Sequence, residues 1–168
     1  MPQAVVHVLF AIIAIDLFRD YVIKNKRKIP LFFVFSGGIA GLLPDADIPI
    51  YWLLNNLLGI QIEWFHRTIT HSLFFPLMFF IIALLFLLIN KRYSIFFAII
   101  TFGVSLHIFL DFALAGYIMP FYPLSTATYG LDLLSKLGII SIMEGIDAIV
   151  LLLWLWHEEA KHKISDFI

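Results

Sequence analysis

The sequence predicts an all-α fold: a polytopic membrane helical bundle with about five transmembrane segments plus a short interfacial helix. Three observations predict it. First, 62% of the 168 residues are apolar, whereas soluble domains are ~45–50% apolar and could not bury the excess. Second, only 14% of the residues are charged, and they are spaced so that long apolar stretches remain between them. Third, these stretches approach the roughly 20 residues needed to cross a hydrocarbon layer.

The apolar stretches define the expected elements in chain order. The five transmembrane segments are approximately 4–23, 29–43, 70–90, 93–115 and 138–157. A shorter amphipathic piece near 48–60 is the expected interfacial helix. The second segment is short and contains Gly37, Gly38 and Gly41, small residues that let another helix approach closely. We expect residues 1–168 to form a single integral membrane domain that ends in a cytoplasmic helical tail from about residue 157.

The distribution of Lys and Arg predicts which way the segments cross. Against the predicted segments, nine basic residues fall on one side: Arg19, Lys24, Lys26, Arg27, Lys28, Lys91, Arg92, Lys161 and Lys163. Only Arg67 and Lys136 fall on the other side. Because the basic-rich side is normally cytoplasmic, we expect a multi-pass protein of the inner or plasma membrane. Its N-terminus would be outside and its C-terminus cytoplasmic.

Charge and cysteine content exclude several classes of function. The formal net charge of −1 provides no basic field of the kind that binds nucleic acid. The chain has no cysteine, which excludes disulfide scaffolds, thiolate metal sites and cysteine nucleophiles. Any bound metal must therefore be held by nitrogen and oxygen.

Polar residues interrupt the apolar segments near the predicted outer face. Ionisable residues are costly within a membrane and indicate function by default. The residues that converge on this face, and that we predict to be metal ligands, are His7, Asp45, Asp47, His66, His71, His107 and Asp111. His107 and Asp111 are four residues apart, which places both on one face of a helix. Prolines at 44 and 49 break the helix around the two neighbouring aspartates.

Imidazole combined with carboxylate favours zinc, with manganese or iron as alternatives, over calcium or magnesium. A single zinc site uses three or four protein ligands, and seven candidates exceed that number. Two ions ~3.5–4 Å apart, bridged by a carboxylate, would account for the excess and match the arrangement used in phosphoester hydrolysis.

Several other residues have a functional and a structural interpretation. Arg67 is predicted to grip a phosphate, with hydrogen bonds from Thr68, Thr70 and Ser72; alternatively, Thr70 caps a helix and Arg67 anchors it at the interface. Glu144 is a candidate ligand or general base. Asp16 with Arg19 is predicted to be a structural pair.

The motifs together resemble a known family. They are Leu43-Pro44-Asp45-Ala46-Asp47, His66-Arg67-Thr68-Ile69-Thr70-His71-Ser72 and His107-Ile108-Phe109-Leu110-Asp111, followed by Pro120-Phe121. From His7 to about Phe121 the chain resembles the YdjM-like family, whose members are described as inner-membrane, predicted metal-dependent hydrolases. A looser analogy links the His-x-x-x-Asp pair at His107 and Asp111 to zinc-dependent phospholipase C.

These observations lead to three hypotheses of different classes. The first is a metal-dependent hydrolase that acts on a lipid or lipid-linked phosphoester at the extracytoplasmic face through metal-activated water, with Arg67 and Glu144 as catalytic residues. The second is an ion or metal transporter, which requires a path through the membrane. The third is a membrane protein whose metal only fastens helices together, which requires a closed site.

Overall fold

The structure is a computed structural model that describes residues 4–23, 28–59, 67–138 and 143–162. In these ranges the secondary structure is helical, apart from turns, loops and an isolated antiparallel pairing of Ile118 with Tyr129. The predicted all-α class is therefore confirmed.

The helices follow the predicted apolar segments. In chain order they are α1 (Ala4–Leu17), α2 (Leu31–Ala40), α3 (Asp47–Leu58), α4 (Phe74–Leu87), α5 (Lys91–Leu110), α6 (Leu133–Leu137) and α7 (Met143–His162). π-Helical segments, Phe18–Ile23 and Asp111–Ala115, extend α1 and α5, and a 3₁₀ turn, Pro44–Ala46, precedes α3. Asn90 begins α5 by accepting a hydrogen bond from the backbone N–H of Arg92, as an N-cap does.

One helix in the described part of the chain is long and apolar enough to cross a membrane alone. It is the 24-residue stretch Lys91–Leu114. Helices α2 and α3 reach that length only together, and they are bent by 52° at the turn between them. The apolar helix α4 is shorter, at 14 residues. The number of five crossings and the orientation of the termini therefore stay predictions.

Close helix packing around α5 depends on glycine. Helix α5 contacts α1, α2 and α4, and a Cβ atom on Gly103 would overlap the backbone oxygen of Gly37 in α2. On another side of α2, a Cβ on Gly41 would lie 3.0 Å from the backbone oxygen of His7 in α1. The predicted role of the small residues in the second segment is confirmed, because side chains at these positions would force the helices apart.

Burial is arranged in layers along the bundle. One apolar cluster contains Ile15, Ile29, Phe33, Val34 and Ile99, and a second contains Ala40, Val104, Ile108 and Ile118. Large apolar side chains also cover the outside; Leu84 and Leu85 of α4 are 49% and 59% exposed. Polar side chains are buried instead, at both ends of α1, which is the reverse of the usual pattern in a soluble protein.

Replacing Gly103 with alanine tests the contact between α5 and α2. Alanine normally favours a helix over glycine by about 1 kcal/mol, but here its methyl group meets a backbone oxygen that cannot move as a side chain can. Overpacking costs about 1–3 kcal/mol, so we expect G103A to unfold at a lower temperature than wild type in detergent.

The matched control is G145A in α7, where a Cβ meets nothing within 4 Å. We expect this variant to be as stable as wild type or slightly more stable. Equal thermal stability of G103A and G145A, measured by circular dichroism, would contradict the packing described here.

Candidate metal centre

A cluster of histidines and aspartates lies where four parts of the bundle meet. Its members are His7 of α1, Asp45 of the 3₁₀ turn, His71 of the turn before α4, and His107 and Asp111 around the end of α5. The three histidines and Asp111 are at most 2% exposed, whereas Asp45 is 22% exposed. The structure thus brings together five of the seven predicted ligands.

Local sequence explains how each element reaches this point. Pro44 begins the 3₁₀ turn. The first N–H groups of a helix have no acceptor within it, so a proline, which lacks the N–H, costs no hydrogen bond there, and its fixed φ suits a helix. The turn carries Asp45 from the end of α2 back toward α5. His107 and Asp111 lie one helical turn apart and therefore project to the same side.

The ring of His107 is oriented by a backbone carbonyl. Its Nδ1 lies 2.6 Å from the oxygen of Gly41, and a carbonyl oxygen only accepts hydrogen bonds, so this Nδ1 carries the proton. In neutral His107 the Nε2 atom then presents a lone pair to the cluster. Sequence reasoning missed the role of Gly41, because a backbone acceptor leaves no signal in residue type.

His71 is oriented in the same sense by Thr70 and Asp47. The Thr70 hydroxyl donates to Asp47 Oδ2 over 2.9 Å and lies 3.1 Å from His71 Nδ1. Since the hydroxyl has a single proton and gives it to the carboxylate, it accepts from the protonated Nδ1 of His71. The Nε2 atom of neutral His71 therefore also presents a lone pair.

The two Nε2 atoms lie only 3.3 Å apart. Asp45 Oδ1 is 3.4 Å from Nε2 of His71 and 3.6 Å from Nε2 of His107. Two lone pairs and a carboxylate oxygen this close repel one another unless a cation lies between them. Donors placed tetrahedrally around zinc at ~2.0–2.2 Å are separated from each other by roughly 3.3–3.6 Å, which matches these distances.

Asp111 links this group of donors to His7. Its Oδ2 lies 3.5 Å from Nε2 of His71 and 3.9 Å from Nε2 of His107, while its Oδ1 lies 3.5 Å from Nε2 of His7. The ring of His7 is stacked on that of His107 with 3.8 Å between centroids. Within the described residues, Asp111 Oδ2 is buried and makes no hydrogen bond, although the guanidinium of Arg67 lies 3.3 Å away as an ion pair. An acceptor in that position fits a bound cation.

Arg67 lies at the more exposed edge of the cluster. Its Nη2 is 3.3 Å from Asp111 Oδ2, and its side chain is 22% exposed. The backbone has a left-handed φ of 62°, uncommon for a residue other than glycine. Its backbone N–H donates to Asp47 Oδ2 over 3.3 Å, which helps hold this conformation.

The remaining predicted residues lie around the cluster or outside the described part. Asp47 is behind the ring of His71, with its Oδ2 3.9 Å from Nδ1, and does not face the Nε2 atoms. Ser72 is fully buried and donates to the Ile69 oxygen over 2.8 Å. Thr68 is also buried. His66 and the side chain of Glu144 lie outside the described residues.

A second polar cluster lies at the opposite end of α1. Asp16, His157 and Glu158 could by spacing hold a metal, but fixed cations already accompany these carboxylates. Arg19 Nη2 lies 2.7 Å from Asp16 Oδ1, so the predicted Asp16–Arg19 pair is confirmed. Lys161 Nζ lies 3.1 Å from Asp20 Oδ2. The Lys161–Asp20 pair joins α7 to the π-helical extension of α1, whereas Asp16 and Arg19 lie on the same helical stretch. Helix α7 contacts α1, and its residue Glu158, in the part expected to be a cytoplasmic tail, is buried.

Comparison with known protein families shows the family of this chain. The family model described as YdjM inner membrane protein matches residues 1–163. The chain belongs to the YdjM inner membrane protein family. The resemblance noted between His7 and Phe121 is confirmed and extends through α7, and the family description supports a membrane location. Comparisons with curated proteins and with solved structures gave no match.

The donors of this YdjM family member fit a divalent metal. Histidine nitrogens together with aspartate oxygens suit zinc, iron or manganese. Asp45 and Asp111 carry two negative charges beside the single positive charge of Arg67, so a divalent cation would be favoured electrostatically. The hydrogen bonds behind His71 and His107 are of the kind that orients metal-ligating histidines.

Replacing Thr70 with valine tests the orientation of His71. The change keeps the shape of the side chain but removes the hydroxyl between Nδ1 and Asp47. Loss of such a supporting hydrogen bond typically weakens metal binding about 10- to 100-fold. We expect the zinc affinity of T70V to fall by that factor, measured by competition with a chromophoric chelator in detergent.

T101V serves as the control, since the hydroxyl of Thr101 bonds to the Phe97 oxygen within α5 and is remote from the cluster. Equal zinc affinities of T70V and T101V would contradict the role of Thr70 in orienting His71.

Proposed function

We propose that this YdjM family member is a metal-dependent hydrolase of a phosphoester. Its substrate would be a lipid or lipid-linked molecule at the extracytoplasmic membrane surface, in a chain that crosses the membrane about five times. The observation that carries the proposal is the pair of Nε2 lone pairs on His71 and His107, 3.3 Å apart and flanked by Asp45 and Asp111.

The arrangement favours one ion over two. Two groups of three could each hold a metal, His7 with His107 and Asp111, and Asp45 with His71 and His107. Both groups use His107, whose Nδ1 is committed to Gly41, and the remaining lone pair binds a single metal. A second ion would need further donors, for which the predicted ligand His66 is the candidate.

The residues around the donors suit phosphoester chemistry. A zinc ion held here would lower the pKa of a coordinated water toward ~7 and polarise a phosphoryl oxygen. Arg67 Nε and Nη2 are buried beside Asp111 and make no hydrogen bond within the described residues, so the guanidinium has donors to offer a phosphate that enters the cluster. Asp45, which is partly exposed, is on the accessible side. General-base action by Glu144 and substrate contacts from Thr68, Thr70 and Ser72 remain predictions.

A lipid substrate is favoured by what borders the donors. Helix α3 begins at Asp47, and Trp52, Leu57 and Leu58 along it are 62%, 70% and 66% exposed. An exposed apolar helix next to the candidate centre is typical of an element that lies at the membrane interface. A headgroup at Arg67 would then have its hydrocarbon chains beside α3.

Metal content is the first test. We expect detergent-purified wild type to contain at least about one equivalent of zinc, manganese or iron per chain by elemental mass spectrometry, and D45A and H107A to lose it. H157A is the matched control, because His157 belongs to the cluster at the other end of α1 and we expect its metal content to be unchanged. Absence of metal in wild type, with none bound on addition, refutes the proposal.

Substitution of Arg67 tests phosphate binding. With the metal-loaded protein and a panel of lipid and water-soluble phosphoesters, we expect R67A to lower kcat/KM about 10- to 100-fold, mainly through KM, because a charged hydrogen bond to phosphate is lost. R67K should recover part of that loss, and R92A, at the opposite end of α5 from His107, should behave as wild type. A loaded protein that hydrolyses no phosphoester would indicate a structural metal site instead.

A further inference from the structure

An apolar groove lies between α1 with its π-helical extension, the turn before α2, and α5, toward the end of the bundle away from the candidate metal centre. Its volume is about 440 Å³, within the roughly 300–1,000 Å³ typical of small-molecule sites. Along α5 the groove residue nearest to the donors is Phe102, five residues from His107 or about 7.5 Å at the rise of an α-helix, and none of the donors lines the groove. The groove is therefore separate from the donors described above.

The base of the groove is formed by buried residues, and its sides carry small residues. Ile15, Ile29 and Ile99 line it and belong to the buried apolar cluster, with exposures of 4–7%. Ala14 of α1 and Ala98 of α5 also line it, and their short side chains leave the space that a larger residue would fill. A groove of this kind accepts a flexible apolar chain without rearrangement of the helices.

One lining residue is polar. Among the described residues around the groove only Lys28 is charged, and it is exposed. Lys24, Lys26 and Arg27 directly precede it in the sequence. The carboxylates on the same end of α1, Asp16 and Asp20, are paired with Arg19 and Lys161, and neither of them lines the groove beside Lys28.

We propose that the groove binds an anionic phospholipid, with an acyl chain between α1, the turn before α2 and α5, and the phosphate at Lys28. Apolar walls alone would accept any lipid, but the exposed ammonium group of Lys28 at the groove favours a negative headgroup. The bound lipid would stabilise the folded chain, because the groove exists only when α1, the turn before α2 and α5 are packed together.

The headgroup part of the proposal is tested by competition between two lipids. The full-length protein is delipidated in detergent and given equal amounts of phosphatidylglycerol and phosphatidylcholine with identical acyl chains, and native mass spectrometry measures which lipid is retained. We expect wild type to retain phosphatidylglycerol preferentially. In K28E that preference should fall about fivefold or more, whereas K136E at the other end of the bundle should keep it.

The acyl-chain part is tested by filling the groove. We expect A98W to lose retention of both lipids, while L84W, an exposed position on α4 outside the groove, retains them. If A98W does not give a monodisperse peak in gel filtration, A14F fills the same space from α1 and carries the test.

Three results would overturn the proposal. Equal retention of both lipids by wild type would show that the groove does not select charge. Undiminished retention by a folded A98W or A14F variant would place the lipid elsewhere. A wild-type dimer that A98W dissociates would identify a second copy of the chain as the occupant.

Discussion

Two imidazole nitrogens whose lone pairs face each other across 3.3 Å are the constraint on which the rest of the structure depends. The arrangement is unfavourable without a cation, and the hydrogen bonds behind the two rings prevent either ring from turning away. Gly41 holds His107 through its carbonyl oxygen, while Thr70 and Asp47 hold His71. The close approach of helices and the chemistry of the cluster are therefore linked, since Gly41 also allows α2 to approach α1 beside His7.

The distribution of polarity follows from the surroundings of the chain. In a membrane protein, lipid solvates the outside, so large apolar side chains on α4 are exposed at little cost. Ionisable groups are costly in lipid and must face one another inside the bundle. The two ends of α1 solve this requirement differently. At one end Arg19 and Lys161 neutralise carboxylates, and at the other end Arg67 is the basic residue that, within the described ranges, lies beside the donors of the candidate centre.

The sequence predicted the fold class and most of the residues that lie together, but it was less informative about the directions of their side chains. Apolar stretches and the placement of Lys and Arg predicted helices that bring His7, Asp45, His71, His107 and Asp111 to one face, and the structure places these five together. Asp47 is two residues from Asp45 but points behind His71, because the 3₁₀ turn passes into α3 between them. Residue spacing predicts such a direction only when the backbone geometry is regular.

Other details depended on partners distant in the sequence. Glu158 looked like part of a solvated tail, since nothing in its local sequence shows that α7 returns to α1. The carbonyl of Gly41 could not be assigned to His107 for the same reason, as the two residues are 66 positions apart. The number of membrane crossings is also hard to read, because α2 and α3 are bent by 52° and α4 is short.

The donors are spread along the chain from residue 7 to residue 111, and only His107 and Asp111 lie on one continuous helical stretch. These five donors therefore include no local group of three that could capture a metal while the chain is being inserted. The complete set forms only after α1, the turn before α3, the turn before α4 and α5 have come together. Metal loading would then be the last step in the biogenesis of the protein, and an incompletely assembled chain would not compete for scarce metal.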